Sequence, residues 1–257
     1  MGLGALKNFG HLKGAKKAIE SLNQNKIDGF ICIGGDGSFK GTSLLGDEMN
    51  IPVIGIPGTI DNDIFGTDRT IGFDSAINTV VDAVDKIKDT SGSHHRIFLV
   101  EVMGRDAGFI ALETAIASGA ASVLIPEERT NIDLLAKDLR SQGKRRGNLI
   151  VIVAEGDDAG GVKEIYSKLV PLMDGYTLRY TVLGHIQRGG SPSAFDRVLA
   201  TRMGVFAVEI LMNGENNMVI GSKGDRLHLT SILESIQTES MPNVKDLEML
   251  KSLKTVV

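Results

Sequence analysis

A single cysteine, Cys32, excludes a disulfide framework from this 257-residue chain. It lies in the apolar run Gly29-Phe30-Ile31-Cys32-Ile33, where the expected role is a small buried core side chain. Charge of one sign is also scarce. With 28 basic against 32 acidic residues the formal net charge is −4, which argues against a dedicated binder of nucleic-acid phosphates, since such proteins carry a positive excess. No stretch approaches the roughly 18 apolar residues of a membrane span. Met1 to Leu12 is too rich in glycine and too weakly apolar for a secretory signal, so the expected location is the cytoplasm. Internal repeats and low-complexity linkers are lacking too, and no shift in composition marks a domain border.

Glycine, by contrast, is plentiful: 31 residues without a collagen-like period, expected to serve tight turns and close backbone approaches. A chain of this length can bury a substantial core in one large or two modest domains. Leu12, Ala15, Ile19 and Leu22 recur at helical spacing, and the apolar run ending at Ile33 reads as a buried strand. The alternation then continues. Strands are predicted at residues 53–56, 97–102, 122–125, 149–154 and 180–183, with helices over 73–88, 108–118, 132–140, 195–212 and 244–253. In the helix over 73–88, Phe73, Ile77, Val80, Val84 and Ile87 share the inward face. Strands so continuously apolar have no wet face, which implies an α/β fold of mainly parallel sheets flanked by helices. Ligands of such folds gather at the carboxyl ends of the strands.

Two loops at such ends carry candidate chemistry. Gly34-Gly35-Asp36-Gly37-Ser38 stands between the first strand and a helix expected near Phe39. Glycines admit an anion close to the main chain, a helix start offers unpaired N–H groups, and Asp36 could hold Mg²⁺. A similar turn occurs in NAD and lipid kinases and in other doubly wound proteins, so alone it is ambiguous. The second loop, Pro57-Gly58-Thr59-Ile60-Asp61-Asn62-Asp63, comes directly after the next strand. Standing alone, its two carboxylates would be turn chemistry. Paired with the first loop, Asp61 could take a proton from an attacking hydroxyl while Asp63 helps to position hydrated magnesium.

Together these loops resemble those of the phosphofructokinases, and the likeness extends through Ser93-His94-His95-Arg96, Glu101-Val102-Met103-Gly104-Arg105, Glu155, Arg179 and Leu183-Gly184-His185-Ile186-Gln187-Arg188-Gly189-Gly190-Ser191-Pro192. The motifs recur in family order over about residues 29–212. The resemblance implies transfer of the terminal phosphoryl group of ATP to fructose 6-phosphate in glycolysis, by a cytoplasmic homotetramer of the allosteric bacterial type. Asp61 would be the base, Thr59 and Arg105 would stabilise the phosphoryl group in flight, and Gly35, Asp36, Gly37 and Ser38 would hold nucleotide and magnesium. Met103, Gly104, Glu155, His185 and Arg188 would contact the sugar phosphate from the same subunit, with Arg96 and Arg179 reaching it from a neighbour. Gly37 and Gly58 resemble the residues of ATP users, whereas pyrophosphate-dependent relatives carry aspartate and lysine there.

The same likeness implies two interleaved domains: residues 1–72 with 187–237 for the nucleotide, and 73–186 with 238–257 for the sugar phosphate and assembly. It also implies an opening strand and a Gly-Gly-Asp-x-Pro-Gly-x-Asn loop upstream of anything in this sequence. Leu3-Gly4-Ala5-Leu6-Lys7 resembles the segment immediately after that unit, with Lys7 a candidate phosphate contact. Lys88 and Ala121 replace an arginine and a glutamate usual at the bacterial effector site, and Lys144-Arg145-Arg146 reads equally as effector contact or solvated helix end. A pyrophosphate-dependent enzyme and a non-catalytic sugar-phosphate or nucleotide-binding fragment are the alternatives.

Overall fold

A computed structural model describes residues 12–89, 96–146 and 148–256. Lys7, with the segment around it, and His94 and His95 lie outside the described residues. In chain order the elements are α1 (Leu12–Gln24), β1 (Phe30–Gly34), α2 (Asp36–Met49), β2 (Val53–Pro57), α3 (Phe73–Asp89), β3 (Arg96–Val102), α4 (Phe109–Ser118), β4 (Ser122–Leu124), α5 (Ile132–Arg146), β5 (Leu149–Ala154), α6 (Val162–Leu169), β6 (Thr177–Val182), α7 (Ala194–Met212), β7 (Met218–Lys223), β8 (Arg226–Ser231), α8 (Ile232–Gln237) and α9 (Val244–Val256). Short 3₁₀ turns occupy Val170–Leu172 and Gly184–Arg188. The expected α/β class and dominance of parallel pairing are borne out.

The chain divides into two compact units. The first comprises the described part of Met1–Thr59, with Ile64–Ile71 and Ala194–Ser240. Its sheet has the order β1-β2-β7-β8, parallel except for the β7–β8 hairpin. Alternation along buried β2 sends Ile54 and Ile56 to one face, where Leu199, Met203, Ala207 and Ile210 of α7 and Ile220 of β7 cover them. Val53 points the other way, towards Phe39 of α2, Val219 and Ile232. Gly55 lets the Phe39 ring lie flush on the strand, because a Cβ there would stand 2.8 Å from the ring. Cys32 is half-buried beside this second cluster rather than fully buried, since among the described residues β1 pairs with β2 alone. Burial nonetheless pushes its thiol above the ordinary range.

The second unit comprises Ile60–Asp63, Gly72–Ser193 and Met241–Val257. Its sheet, ordered β4-β5-β3-β6, is parallel throughout. β5 is buried along its whole length, which is why its sequence is continuously apolar. Phe73, Ile77, Val80 and Val84 of α3 and Ile110 of α4 pack on Val100, Val102, Ile150 and Ile152. Leu135 and Leu139 of α5 and Ile165 and Leu169 of α6 cover Ile97, Leu99, Val151 and Val153 on the opposite face. Phe73 meets Phe109 edge to face at 6.4 Å, and its complete burial contributes about 1.5–3 kcal/mol.

Several elements depart from the pattern read in the sequence. The β7–β8 hairpin, α6 and α8 were not predicted, α2 begins at Asp36, α5 runs on to Arg146, and β6 starts three residues earlier than expected. No helix among the described residues is long and apolar enough to cross a membrane.

Candidate active site

In the second unit β3, β5 and β6 run in parallel, so their carboxyl ends share one edge of the sheet. Met103-Gly104-Arg105 leaves β3 there, Glu155 leaves β5, and Leu183 to Arg188 leaves β6. Main-chain bonds join the three exits: Glu155 N donates to Val102 O at 3.0 Å and Leu183 N to Glu101 O at 3.1 Å. The Glu155 carboxylate then accepts from the amides of Gly104 (3.2 Å) and Arg105 (2.8 Å) through Oε1. This holds the turn in a conformation ordinary residues avoid, with Gly104 at φ 147° and Arg105 at φ 54°. A Cβ at Gly104 would stand 2.5 Å from Ala107 O, so the glycine is required for packing as well.

Gln187 completes the assembly and was not among the expected site residues. Its buried amide accepts from Met103 N at 3.2 Å and donates to Gly184 O at 3.0 Å, fastening the 3₁₀ turn of His185 and Arg188 to the end of β3. Both of those side chains are exposed at that edge, whereas Met103 is buried.

Asp61 belongs to the same unit and is only 4% exposed. Its Oδ2 lies 3.3 Å from Nε of Arg105, whose side chain remains 54% exposed. Burial and the like charge of Asp63 push the Asp61 carboxyl above its usual range, against the pull of Arg105 and Arg188, with Glu155 adding to the rise. The ensemble is a buried carboxylate of raised proton affinity beside cations that remain open to solvent. A general base works best when its pKa approaches the operating pH, and the cations suit a multiply charged anion.

Arg96 and Arg179 do not join this cluster within the chain. Arg96 opens β3 at the end opposite to Arg105, about 20 Å away at strand rise. Its amide donates to Asn148 Oδ1. Arg179 lies midway along the edge strand β6, opposite Phe98, with an exposed guanidinium.

In the first unit Gly35 occupies the N-cap position of α2, with Asp36, Gly37 and Ser38 in the first turn. A Cβ on Gly34 would meet Ser38 Oγ at 2.5 Å, so glycine is what lets this serine fold back over the strand end. Asp36 pairs with Lys40 at 2.7 Å through Oδ2, while its Oδ1 is buried without a hydrogen-bond partner. Such an oxygen fits a hydrated Mg²⁺, which takes one or two carboxylates and otherwise phosphates and water. Among the described residues no group of three or more His, Cys, Asp or Glu side chains is arranged to hold a metal ion. Thr59 is reached from Gly35, where a Cβ would lie 3.6 Å from the threonine Cβ.

Of the residues at the expected effector positions, Lys88 bonds to Ser118 O and lies 3.7 Å from Asp85, and Ala121 is buried. Arg145 borders a cavity of about 680 Å³ between α5, the β4 edge and α9.

The sequence profile described as Phosphofructokinase matches residues 3–211. The chain belongs to the phosphofructokinase family. It is 44% identical over 249 residues to the ATP-dependent 6-phosphofructokinase 2 of Bacteroides thetaiotaomicron, covering 96% of this chain and 76% of that one. To the ATP-dependent 6-phosphofructokinase of Listeria welshimeri it is 49% identical over 231 residues, or 89% and 71% of the two chains. Among solved structures, the phosphofructokinase of Pichia pastoris in the T-state superposes with a TM-score of 0.82 at 34% identity, over 96% of this chain. The chain spans 28% of the length of that yeast chain. The resemblance first seen in the loop motifs is thus borne out.

Proposed function

We propose that this protein transfers the terminal phosphoryl group of ATP to the 1-hydroxyl of fructose 6-phosphate, giving fructose 1,6-bisphosphate and ADP. The observation that carries this reading is Asp61: a carboxylate 4% exposed, raised in proton affinity and ion-paired to an arginine that solvent still reaches. Asp61 accepts the proton of the attacking hydroxyl. Arg105, with Thr59, stabilises the negative charge that spreads over the phosphoryl oxygens in a loose transition state. His185 and Arg188 hold the 6-phosphate, Glu155 receives sugar hydroxyls, and Met103 and Gly104 shape the wall.

Gly35, Asp36, Gly37 and Ser38 of the first unit take the nucleotide phosphates through the start of α2. Asp36 would be the carboxylate that holds Mg²⁺ there and Asp63 would help to orient its water, and the ion would supply neutralisation of the phosphate charge. ATP as donor is supported by Gly37, where bare backbone leaves room that a carboxylate would fill, and by Gly58, which matches the residue of ATP users by resemblance. The placement of Arg96 and Arg179 away from the cluster favours their service to a neighbouring subunit, hence a homotetramer with shared sugar sites. Charged sugar phosphates and ATP do not cross membranes, which supports a cytoplasmic, glycolytic role.

A coupled assay with fructose 6-phosphate tests this proposal. The expected result is magnesium-dependent formation of ADP, faster from ATP than phosphorylation from pyrophosphate at matched concentrations. Preference for pyrophosphate would replace the donor, and no turnover with either donor would remove the enzymatic role.

A further inference from the structure

Thr59 is two residues from the proposed base in sequence and has a hydroxyl whose aim depends on its own backbone. In the first unit that backbone is gripped from two sides. Gly58 N donates to Gly34 O at 3.0 Å, which ties the segment to the glycine turn. On the other side Thr70, wholly buried, donates its hydroxyl to the carbonyl of Thr59 at 2.6 Å, and Ile71 N donates to Pro57 O at 2.9 Å. A side-chain bond of that length to a main-chain carbonyl in a buried setting fixes where the next peptide points.

The segment that supplies Thr70 is itself anchored on β7. Asp68 N donates to Ser222 O at 2.7 Å, and Ser222 N donates to Thr67 Oγ1 at 2.9 Å. Gly224 N, in the turn of the β7–β8 hairpin, donates to Asp68 Oδ2 at 2.8 Å. Packing enforces the same contact: a Cβ at Gly221 would fall 1.9 Å from Gly66 O, so the two backbones touch. A continuous path of bonds therefore runs from the hairpin through Thr67 and Asp68 to Thr70 and ends on the carbonyl of Thr59.

We propose that Thr70 is a positioning residue for phosphoryl transfer, acting through the Thr59 carbonyl and braced on β7 by Thr67 and Asp68. It rests on the function proposed above only in its kinetic part. Transfer through a loose transition state draws most of its acceleration from placement, and a displacement of the order of 1 Å at a stabilising group is costly. The hydroxyl matters, not the bulk. Thr70→Val keeps the branched shape and removes the donor, whereas Thr70→Ser keeps the donor. Asp68→Ala, at an exposed position, loosens the same path without touching the core.

Two measurements decide. In steady-state kinetics Thr70→Val is expected to lower kcat by about 10-fold or more with the KM for ATP and for fructose 6-phosphate changed less than about twofold; Thr70→Ser retains most of kcat, and Asp68→Ala loses about two- to fivefold. In amide exchange read on the same proteins, the protons of Gly58 and Ile71 exchange at least about fivefold faster in Thr70→Val and Asp68→Ala than in the parent, while those of β5 are unchanged. An undiminished kcat in Thr70→Val, a Thr70→Ser variant as impaired as the valine, or unaltered exchange at Gly58 and Ile71 would each overturn the assignment. If the parent protein itself shows no turnover, the functional proposal fails, and the exchange result alone then decides whether Thr70 holds the segment.

Discussion

Replacing Asp61 by asparagine should weaken the protein's chemistry and strengthen its fold. The carboxylate is almost fully buried, and burial together with the neighbouring Asp63 raises its proton affinity in spite of Arg105 and Arg188. The native state therefore holds this proton more tightly than the unfolded chain, whose aspartates titrate near ~3.9. With pKa raised on folding, wild-type stability at this site is complete below the unfolded value and falls as pH rises through the folded value. Asparagine is spared that loss. What it forfeits is the ion pair to Arg105, a half-exposed guanidinium that water can re-solvate, worth about 0–1 kcal/mol. The net expectation for Asp61→Asn at pH 8 is a gain on the order of 1 kcal/mol, or about 2–4 °C in Tm for a chain of this size. The gain should be complete above the folded value and shrink as pH falls from there towards the unfolded value. Turnover should fall by about 10²–10⁴, the usual share of a general base. Thermal melting of both proteins across that pH range, paired with the coupled assay, tests both halves. An asparagine variant that melts lower than the parent by the same amount at every pH would refute the electrostatic account, and undiminished turnover would refute the role as base.

Two further variants probe the scaffold. Glu155→Ala removes the acceptor shared by the amides of Gly104 and Arg105 and should cost about 1–3 kcal/mol, whereas Glu155→Gln keeps an oxygen in place and should stay within about 0.5 kcal/mol; denaturant midpoints at constant slope separate them, and equal losses would count against the bonding scheme. Gly221→Ala places a Cβ 1.9 Å from Gly66 O and should destabilise by about 2 kcal/mol or more, so an unchanged midpoint would show that the two backbones can part at little cost.

The parallel strands were legible because burial on both faces writes an uninterrupted apolar run, as in Leu149–Ala154. The β7–β8 hairpin was missed although a signal existed: Gly224-Asp225 stands between the paired residues Lys223 and Arg226, a two-residue turn of the kind hairpins favour. β8 carries the alternation of a half-buried strand, Leu227 and Leu229 packing beside the α7 cluster while His228 and Thr230 face the 64–71 segment, but at six residues it is too short for that pattern to stand out. Helix α6 also left a trace, in Val162, Ile165 and Leu169 at helical spacing, but eight residues are too few for that periodicity to stand out. At the site, the motifs named Asp61, Arg105, Glu155 and Arg188, and the structure brings these four together within the second unit. Gln187 was quoted within the Leu183–Pro192 motif but given no role, because that role is a contact with Met103, 84 positions away.

Glu155 and Arg105 show how the two carboxylates of this cluster divide their work. An arginine at φ 54° sits in a region that costs non-glycine residues about 1–3 kcal/mol, and glycine at position 156 leaves room for it, since a Cβ there would stand 2.1 Å from Arg105 O. The strain persists because Glu155 answers it: two amide donors converge on one ionised oxygen, and charge-assisted bonds of this kind are about twice as strong as neutral ones. Glu155 thus fixes the backbone from which the Arg105 guanidinium reaches Asp61. Burial decides which carboxylate can serve as a base: Glu155 stays exposed and spends an oxygen on the backbone, while Asp61 is enclosed and its proton affinity rises. Exchanging their environments, not their identities, would exchange their roles.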